Sequence, residues 1–363
     1  MSMKLEEFAR ESRATHKGDK SGVPIVGLEH LIPQEIKFSG YDVDTENTFT
    51  KTFKKGQILF GRRRAYLKKA AIADFDGICS GDITVIEAIP GKVDPLLLPF
   101  IIQNDKFFDY AVSRSAGGLS PRVKWEHLKD YEFDLPPIEE QRILADKLWA
   151  AYRLKESYKK LLTATQEMVK SQFIEMFGNP VTNTKGWKTA KIKDVAPEMP
   201  SKEQLSGKIW LLNLDMIESN TGRIIEKVYE DVENALSVQS FDEGNVLFSK
   251  LRPYLNKVVI PDEPGMATTE LVPLRPEPSK LHKVFLSHLL RGNQFVNYAN
   301  DIAGGTKMPR MPLTELRNFD CILPPMDKQL EFVFIAEQVD KSKFELRKSI
   351  EAIDQVIKSL INN

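Results

Sequence analysis

The sequence predicts an α/β (α+β) fold written twice. Each of two mixed domains is followed by a long α-helix, and the two helices pair as an antiparallel coiled coil about a pseudo-twofold axis. Three observations predict it. Short motifs recur at an offset of 188 positions, as from Gly56 to Gly244. Each copy closes on a stretch free of proline and glycine, Ile138 to Phe177 and Met326 to Leu360. Both stretches carry a seven-residue heptad, clearest in the second, where apolar residues recur every seventh position from Phe332 to Leu360.

The copies begin alike, with Lys4-Leu5-Glu6-Glu7-Phe8-Ala9 against Lys191-Ile192-Lys193-Asp194-Val195-Ala196. Gly56-Gln57-Ile58-Leu59-Phe60-Gly61 then returns as Gly244-Asn245-Val246-Leu247-Phe248-Ser249. Short apolar runs bounded by Gly and Pro predict strands at Gln57–Phe60, Ile83–Ile86, Asn245–Phe248 and Val258–Ile260. A helix is predicted over Leu96–Tyr110. Further on, Ala116-Gly117-Gly118 matches Ala303-Gly304-Gly305 with a one-residue slip, before Pro121-Arg122 and Pro309-Arg310 fall back into register. Leu135-Pro136-Pro137 and Leu323-Pro324-Pro325 start the long helices, since proline fits the first helical turn but not the interior. Gly178-Asn179-Pro180 stops the first of them. The expected layout is therefore a first domain over 1–137, a spacer helix over 138–178, a second domain over 179–325 and a second helix over 326–363.

The heptad defines a seam. In the second helix it takes Phe332, Val339, Leu346, Ile353 and Leu360, alternating with Ala336, Lys343, Ile350 and Ile357. In the first it takes Leu144, Ala151, Tyr158, Thr165 and Gln172 with Leu148, Lys155, Leu162 and Val169. Lys155 and Lys343 occupy equivalent positions. A lysine there either fixes register and partner choice or bends out to water along its aliphatic stem. Helices of about 35 residues reach on the order of 50 Å, enough to act as a spacer between two similar domains.

Composition bounds the function. The chain has 363 residues, 51 Lys plus Arg against 51 Asp plus Glu, and 42% apolar residues, which is globular rather than disordered. A net charge of zero leaves room for one basic face. Cys79 and Cys321 are too few for a disulfide framework and read as reduced core residues of a cytoplasmic protein. The start carries charge where a signal peptide is apolar, and Leu96–Ile102 is too short to span a bilayer. The five histidines show no metal-ligand spacing. Nucleotide-binding, hydrolase, zinc-protease and Cys-x-x-Cys motifs are absent from the sequence. Asn179-Pro180 lacks the second proline and aromatic of an amino-methyltransferase motif.

What remains is a doubled basic turn. Arg62, Arg63, Arg64, Tyr66, Lys68 and Lys69 follow the first repeated strand, and Lys250, Arg252, Tyr254 and Lys257 follow the second. Guanidinium groups bind phosphate or pair with guanine edges, and a tyrosine offers a stacking face. The Gly-Gly loops add Arg122 and Lys124 in one copy, Lys307 and Arg310 in the other, on a backbone that can approach a phosphate closely. Asp82 and Glu270 keep the same offset and read as partners for an arginine of the basic turn, or as acceptors for a base amino group.

Taken together, Leu135-Pro136-Pro137-Ile138-Glu139-Glu140-Gln141, Leu323-Pro324-Pro325-Met326-Asp327-Lys328-Gln329, Trp210-Leu211-Leu212-Asn213-Leu214-Asp215-Met216-Ile217 and the two basic turns resemble the DNA specificity subunit of type I restriction–modification enzymes over essentially the whole chain. The resemblance implies two target-recognition domains that each read half of a bipartite double-stranded DNA site, with the helix pair as ruler. It implies docking of two adenine methyltransferase subunits, which two restriction subunits can join. S-adenosylmethionine and ATP with Mg would bind those partners, leaving no cofactor, metal or catalytic residue on this chain. The first basic turn departs from the second by having Ala65 where Pro253 stands. Two other readings compete: a standalone DNA methyltransferase or nuclease with unrecognised motifs, and a coiled-coil scaffold that does not bind DNA.

Overall fold

The structure is a computed structural model that describes residues 2–202, 205–231 and 238–362. Two compact units emerge, Met1–Tyr158 with Lys348–Asn363, and Lys159–Arg347. Each unit therefore takes one portion of both long helices.

In the first unit the chain runs β1 (Ser2–Lys4), α1 (Leu5–Phe8), β2 (Ala9–Ser12), β3 (Ile25–Val26), β4 (Lys51–Phe53), β5 (Ile58–Gly61), β6 (Ala70–Ile72), β7 (Gly77–Cys79), β8 (Ile83–Ala88), α2 (Leu98–Ile102), α3 (Asp105–Ser113), α4 (Trp125–Leu128) and β9 (Glu132–Asp134), before α5 (Ile138–Phe177). An antiparallel sheet is ordered β2-β8-β5-β6, and a smaller one β3-β7-β4 pairs β3 with β7 in parallel. Every residue of β5 is buried, because the strand separates two cores. Ile58 and Phe60 face one core, with Ile86 and the helices, while Leu59 faces the other, with Val26, Ile83 and Val85. The alternation of a strand thus serves two apolar faces at once.

The second unit repeats this plan. After β10 (Thr189–Lys191) and α6 (Ile192–Val195) come β11 (Lys208–Leu212), β12 (Val228–Asp231), β13 (Val238–Phe241), β14 (Val246–Ser249), β15 (Val258–Val259), β16 (Gly265–Thr268), β17 (Leu271–Leu274), α7 (Lys283–Arg291), α8 (Asn293–Asp301), α9 (Leu313–Asn318), β18 (Asp320–Ile322) and α10 (Met326–Asn362). Its sheets are ordered β15-β14-β17 and β12-β11-β16-β13, again with one parallel pair, β11 with β16. Val246 and Phe248 point into one core and Leu247 into the other. Pro273 lies on β17 at the sheet edge, where a missing N–H is tolerated.

The predicted strands and both long helices are present. The single helix predicted over Leu96–Tyr110 is instead two, α2 and α3. Asn104 breaks it, because its side chain accepts the Lys106 N–H at 3.0 Å and so starts a new helix. In the second unit Gly292 makes the corresponding break between α7 and α8.

The Leu-Pro-Pro-x-x-x-Gln motif has a mechanical reading. Gln329, fully buried, donates from its amide to the Pro324 and Lys280 carbonyls, both at 2.9 Å, and accepts the His282 N–H at 2.9 Å. Gln141 likewise donates to Pro136 at 2.9 Å and accepts the Asp94 N–H at 2.9 Å. One carboxamide therefore closes the helix start and ties it to the loop ahead of α2 or α7, satisfying buried groups that the prolines cannot.

The helices meet inside each unit. In the first, Leu148 and Tyr152 of α5 share a core with Ile357, Leu360 and Ile361 of α10. In the second, Val169, Phe173 and Phe177 share one with Phe332, Ala336 and Val339. Early residues of one helix meet late residues of the other in both units, which is the antiparallel sense. All the predicted seam positions are buried or half-buried. Lys155 and Lys343 do not reach out to water: each is 7% exposed. Lys155 pairs with Asp354 at 2.7 Å and Lys343 with Asp340 at 2.5 Å. The heptad leaves out Tyr152, Phe173 and Phe177, which anchor the helices to the globular part of each unit.

Candidate nucleic-acid interface

The basic turn leaves β5 and is fastened on both sides by main-chain bonds. Arg62 N–H donates to the Asp82 carbonyl at 3.0 Å, Val123 N–H to Arg62 at 3.0 Å, and Arg64 N–H to Pro121 at 2.8 Å. The second unit repeats all three: Lys250 to Glu270 at 3.1 Å, Met311 to Lys250 at 2.9 Å, and Arg252 to Pro309 at 2.7 Å. The Gly-Gly loop is thus stitched along the basic turn.

Side chains complete the latch. The Asp82 carboxylate accepts Arg122 Nε at 2.7 Å and Nη2 at 3.3 Å, and Arg63 Nη1 at 3.4 Å. Glu270 accepts Arg310 Nε at 3.1 Å and Nη2 at 3.0 Å. The principal partner is therefore the arginine of the Gly-Gly loop, with the basic turn contributing only Arg63. The Arg122 hydrogen bonds hold the Asp82 carboxyl below the usual range, and the same bonds raise Arg122; Glu270 does the same to Arg310.

Positive φ angles shape the turns. Arg64 (54°) and Lys68 (51°) flank the short 3-10 turn Ala65–Leu67, and Arg252 (49°) and Asn256 (49°) flank Pro253–Leu255. Non-glycine residues adopt this region rarely and at a cost, so four such positions in matching places mark a held shape. Ala65 supports the same shape as Pro253. The turn presents Tyr66 and Tyr254 half-exposed, at 51% and 50%. The loop glycines correct the sequence alignment: Gly117 (φ 115°) corresponds to Gly305 (φ 102°), and Ala116 and Gly304 each bridge to the loop arginine. The register of 188 holds without a slip, and the repeated Ala-Gly-Gly string is coincidental.

Not all the predicted cations face outward. Lys69 Nζ donates to the Leu28 carbonyl at 2.8 Å and Lys257 Nζ to Leu214 at 2.6 Å, so both fasten an inner turn. Lys68 pairs with Asp105 at 2.6 Å. Among the described residues no ion pair is made by Arg62, Arg64, Lys124, Lys250, Arg252 or Lys307. These, with the two tyrosines, form in each unit a cluster able to meet phosphates and base edges. Among the described residues no histidine, thiol or carboxylate pair is placed for acid–base chemistry in either cluster. Burial pushes both cysteine thiols up to about 12, which disqualifies them as nucleophiles. The fold does gather Glu29, His30 and Asp42 with their ligand atoms within 4.8 Å, a grouping that no sequence spacing announced. His30 Nδ1 is already committed to the Gly27 N–H at 2.9 Å.

A model of the type I restriction modification DNA specificity domain matches residues 8–164 and again residues 184–355. The chain belongs to this family. Two matches in tandem correspond to the two structural copies. The chain is 32% identical over 130 residues to the EcoDI specificity subunit of Escherichia coli, an alignment spanning 34% of this chain and 29% of that relative. It is 21% identical to a putative MjaX specificity subunit of Methanocaldococcus jannaschii across 99% of this chain and 90% of the relative. Its fold matches the crystal structure of a type I restriction–modification S subunit from M. genitalium, with a TM-score of 0.55 at 12% identity, covering 100% of this chain and 95% of the other. Among the described residues no helix is long and apolar enough to cross a membrane.

Proposed function

We propose that this chain is the non-catalytic specificity subunit of a type I restriction–modification system, reading a bipartite double-stranded DNA site with one recognition domain per half. The observation that carries the reading is the latch built twice: the same three main-chain bonds, the same carboxylate–arginine pair and the same half-exposed tyrosine, in two copies that differ in the residues around them. Equivalent scaffolds with different surface residues suit the reading of two different half-sequences. Within each copy, Arg62, Arg64 and Lys124, or Lys250, Arg252 and Lys307, bind phosphates and base edges. Arg122 and Arg310 are held by their carboxylates and shape the loop.

In this reading the recognition domains occupy 1–137 and 179–325 and the helices 138–178 and 326–363 act as ruler. Two adenine methyltransferase subunits dock on the chain, and restriction subunits join them. S-adenosylmethionine and ATP with Mg bind those partners, and the complex works in the cytoplasm. The test is to sequence methylated DNA from cells carrying this chain with its methyltransferase. Two fixed half-sequences separated by a constant gap are expected; methylation at a single uninterrupted sequence, or none that depends on this chain, would overturn the proposal.

A further inference from the structure

Each Gly-Gly loop is a short finger with one residue at its apex. Two main-chain bonds close its base: Ala116 and Arg122 bond each other in both directions at 2.9 Å, and Gly304 and Arg310 do so at 3.0 and 2.9 Å. Five residues lie between, 117–121 in the first copy and 305–309 in the second. The middle one is Leu119 in the first and Lys307 in the second, 188 positions apart. In the first copy Arg64 Nη2 donates to the Leu119 carbonyl at 3.4 Å and Arg63 Nη2 to the Ser120 hydroxyl at 3.2 Å. The apex therefore stands beside the basic turn.

The fold makes no use of the side chain at this place. Leu119 is 96% exposed, against at most 64% for any other large apolar side chain among the described residues. It joins none of the buried apolar clusters. The same loop closes around Lys307, which is exposed and makes no ion pair among the described residues. The loop is held in shape by its own base and by the basic turn, so the apex side chain contributes nothing to that shape. Here two copies with matching main-chain bonds differ in chemical kind, one apex apolar and the other cationic.

Base edges offer each kind a different partner. In the major groove the thymine C5 methyl is the apolar group on offer, whereas guanine presents two neighbouring acceptors, O6 and N7. A leucine set against the polar edge of another base covers hydrogen-bonding groups that it cannot satisfy. A lysine ammonium has three donors and no acceptor, so it suits the two guanine acceptors and meets an amino donor on adenine or cytosine.

We propose, resting on the reading of this chain as a DNA-sequence reader, that the two apices are base-reading residues of opposite preference. Leu119 packs on a thymine methyl in the half-site read by the first unit, and Lys307 donates to guanine O6 and N7 in the half-site read by the second.

The test sequences methylated DNA from cells carrying the methyltransferase with the unmodified chain, with Leu119→Lys or with Lys307→Leu. Leu119→Lys should change one thymine of the first half-sequence to guanine and leave the second half-sequence as it was. Lys307→Leu should change one guanine of the second half-sequence to thymine and leave the first as it was. With the purified complex, deoxyuridine in place of the contacted thymine removes only the methyl, and should weaken binding roughly fourfold, the transfer free energy of one such group. Leu119→Ala should be indifferent to that replacement, and this comparison decides the matter if a swap abolishes methylation. A half-sequence unchanged by its own swap would overturn the proposal while leaving the chain a DNA reader. So would a first half-sequence in which no thymine responds to deoxyuridine, or a response that persists in Leu119→Ala. Methylation that does not depend on this chain at all would remove both readings.

Discussion

Replacing Arg62, Arg63 and Arg64 together by alanine tests whether the basic turn touches DNA, and the structure sets the size of the effect. Arg63 is engaged by Asp82 at 3.4 Å and Ser120 at 3.2 Å. Among the described residues the Arg62 side chain has no hydrogen-bond partner, and Arg64 reaches only the Leu119 carbonyl at 3.4 Å. Two guanidinium groups are therefore available for phosphates. Each phosphate that the protein no longer neutralises reduces the slope of log K against log salt by about 0.9. The triple variant should therefore take about 1.8 from that slope, against about 2.7 if all three arginines bind. Between 50 and 200 mM salt, a slope difference of about 1.8 removes roughly tenfold of the salt sensitivity. Fluorescence anisotropy with duplex DNA carrying the site, repeated across that range, reads the slope directly. Lys69→Ala is the control, since its ammonium fastens the Leu28 carbonyl: it should cost about 1 kcal/mol of stability and leave the slope unchanged. A folded triple variant with an unaltered slope would refute the assignment of the turn to DNA.

Three further outcomes are expected. Lys155→Met should destabilise the first unit by about 1–2 kcal/mol in thermal unfolding, because Asp354 loses its partner but keeps part of its hydration at 38% exposure; an unchanged melting temperature would show that the pair contributes nothing. Because the folded-state pKa of Asp82 is depressed, the latch should stabilise the Gly117 loop fully above about pH 5 and lose its hold as pH falls below about 4. Hydrogen exchange of that loop should show this acid step in the wild type and not in Asp82→Asn. Finally, inserting one heptad into both helices adds roughly 10 Å to each, and should lengthen the gap between methylated half-sequences while leaving the half-sequences themselves unchanged. An unchanged gap would defeat the ruler role.

The duplication, the buried central strands and the two long helices can be read from the residues alone. Those features are local or periodic: a run such as Ile58-Leu59-Phe60 must be buried on both faces, and a proline-free heptad must pair along one side. The positions that would carry charge were equally legible. Their roles were not, because role depends on which carboxylate or carbonyl the fold brings near. Lys69 and Arg62 look alike in the chain, yet one ammonium is tied to Leu28 and the other cation has no partner among the described residues. The tertiary structure alone made Arg122 the partner of Asp82, matched Gly117 to Gly305 as counterparts in the two copies, and turned Lys155 and Lys343 inward. It also gave Lys155 a carboxylate from the other long helix and Lys343 one from its own. Repetition in sequence fixes where equivalent atoms lie, whereas the balance of charge at each place is set by residues far apart in the chain that meet only on folding.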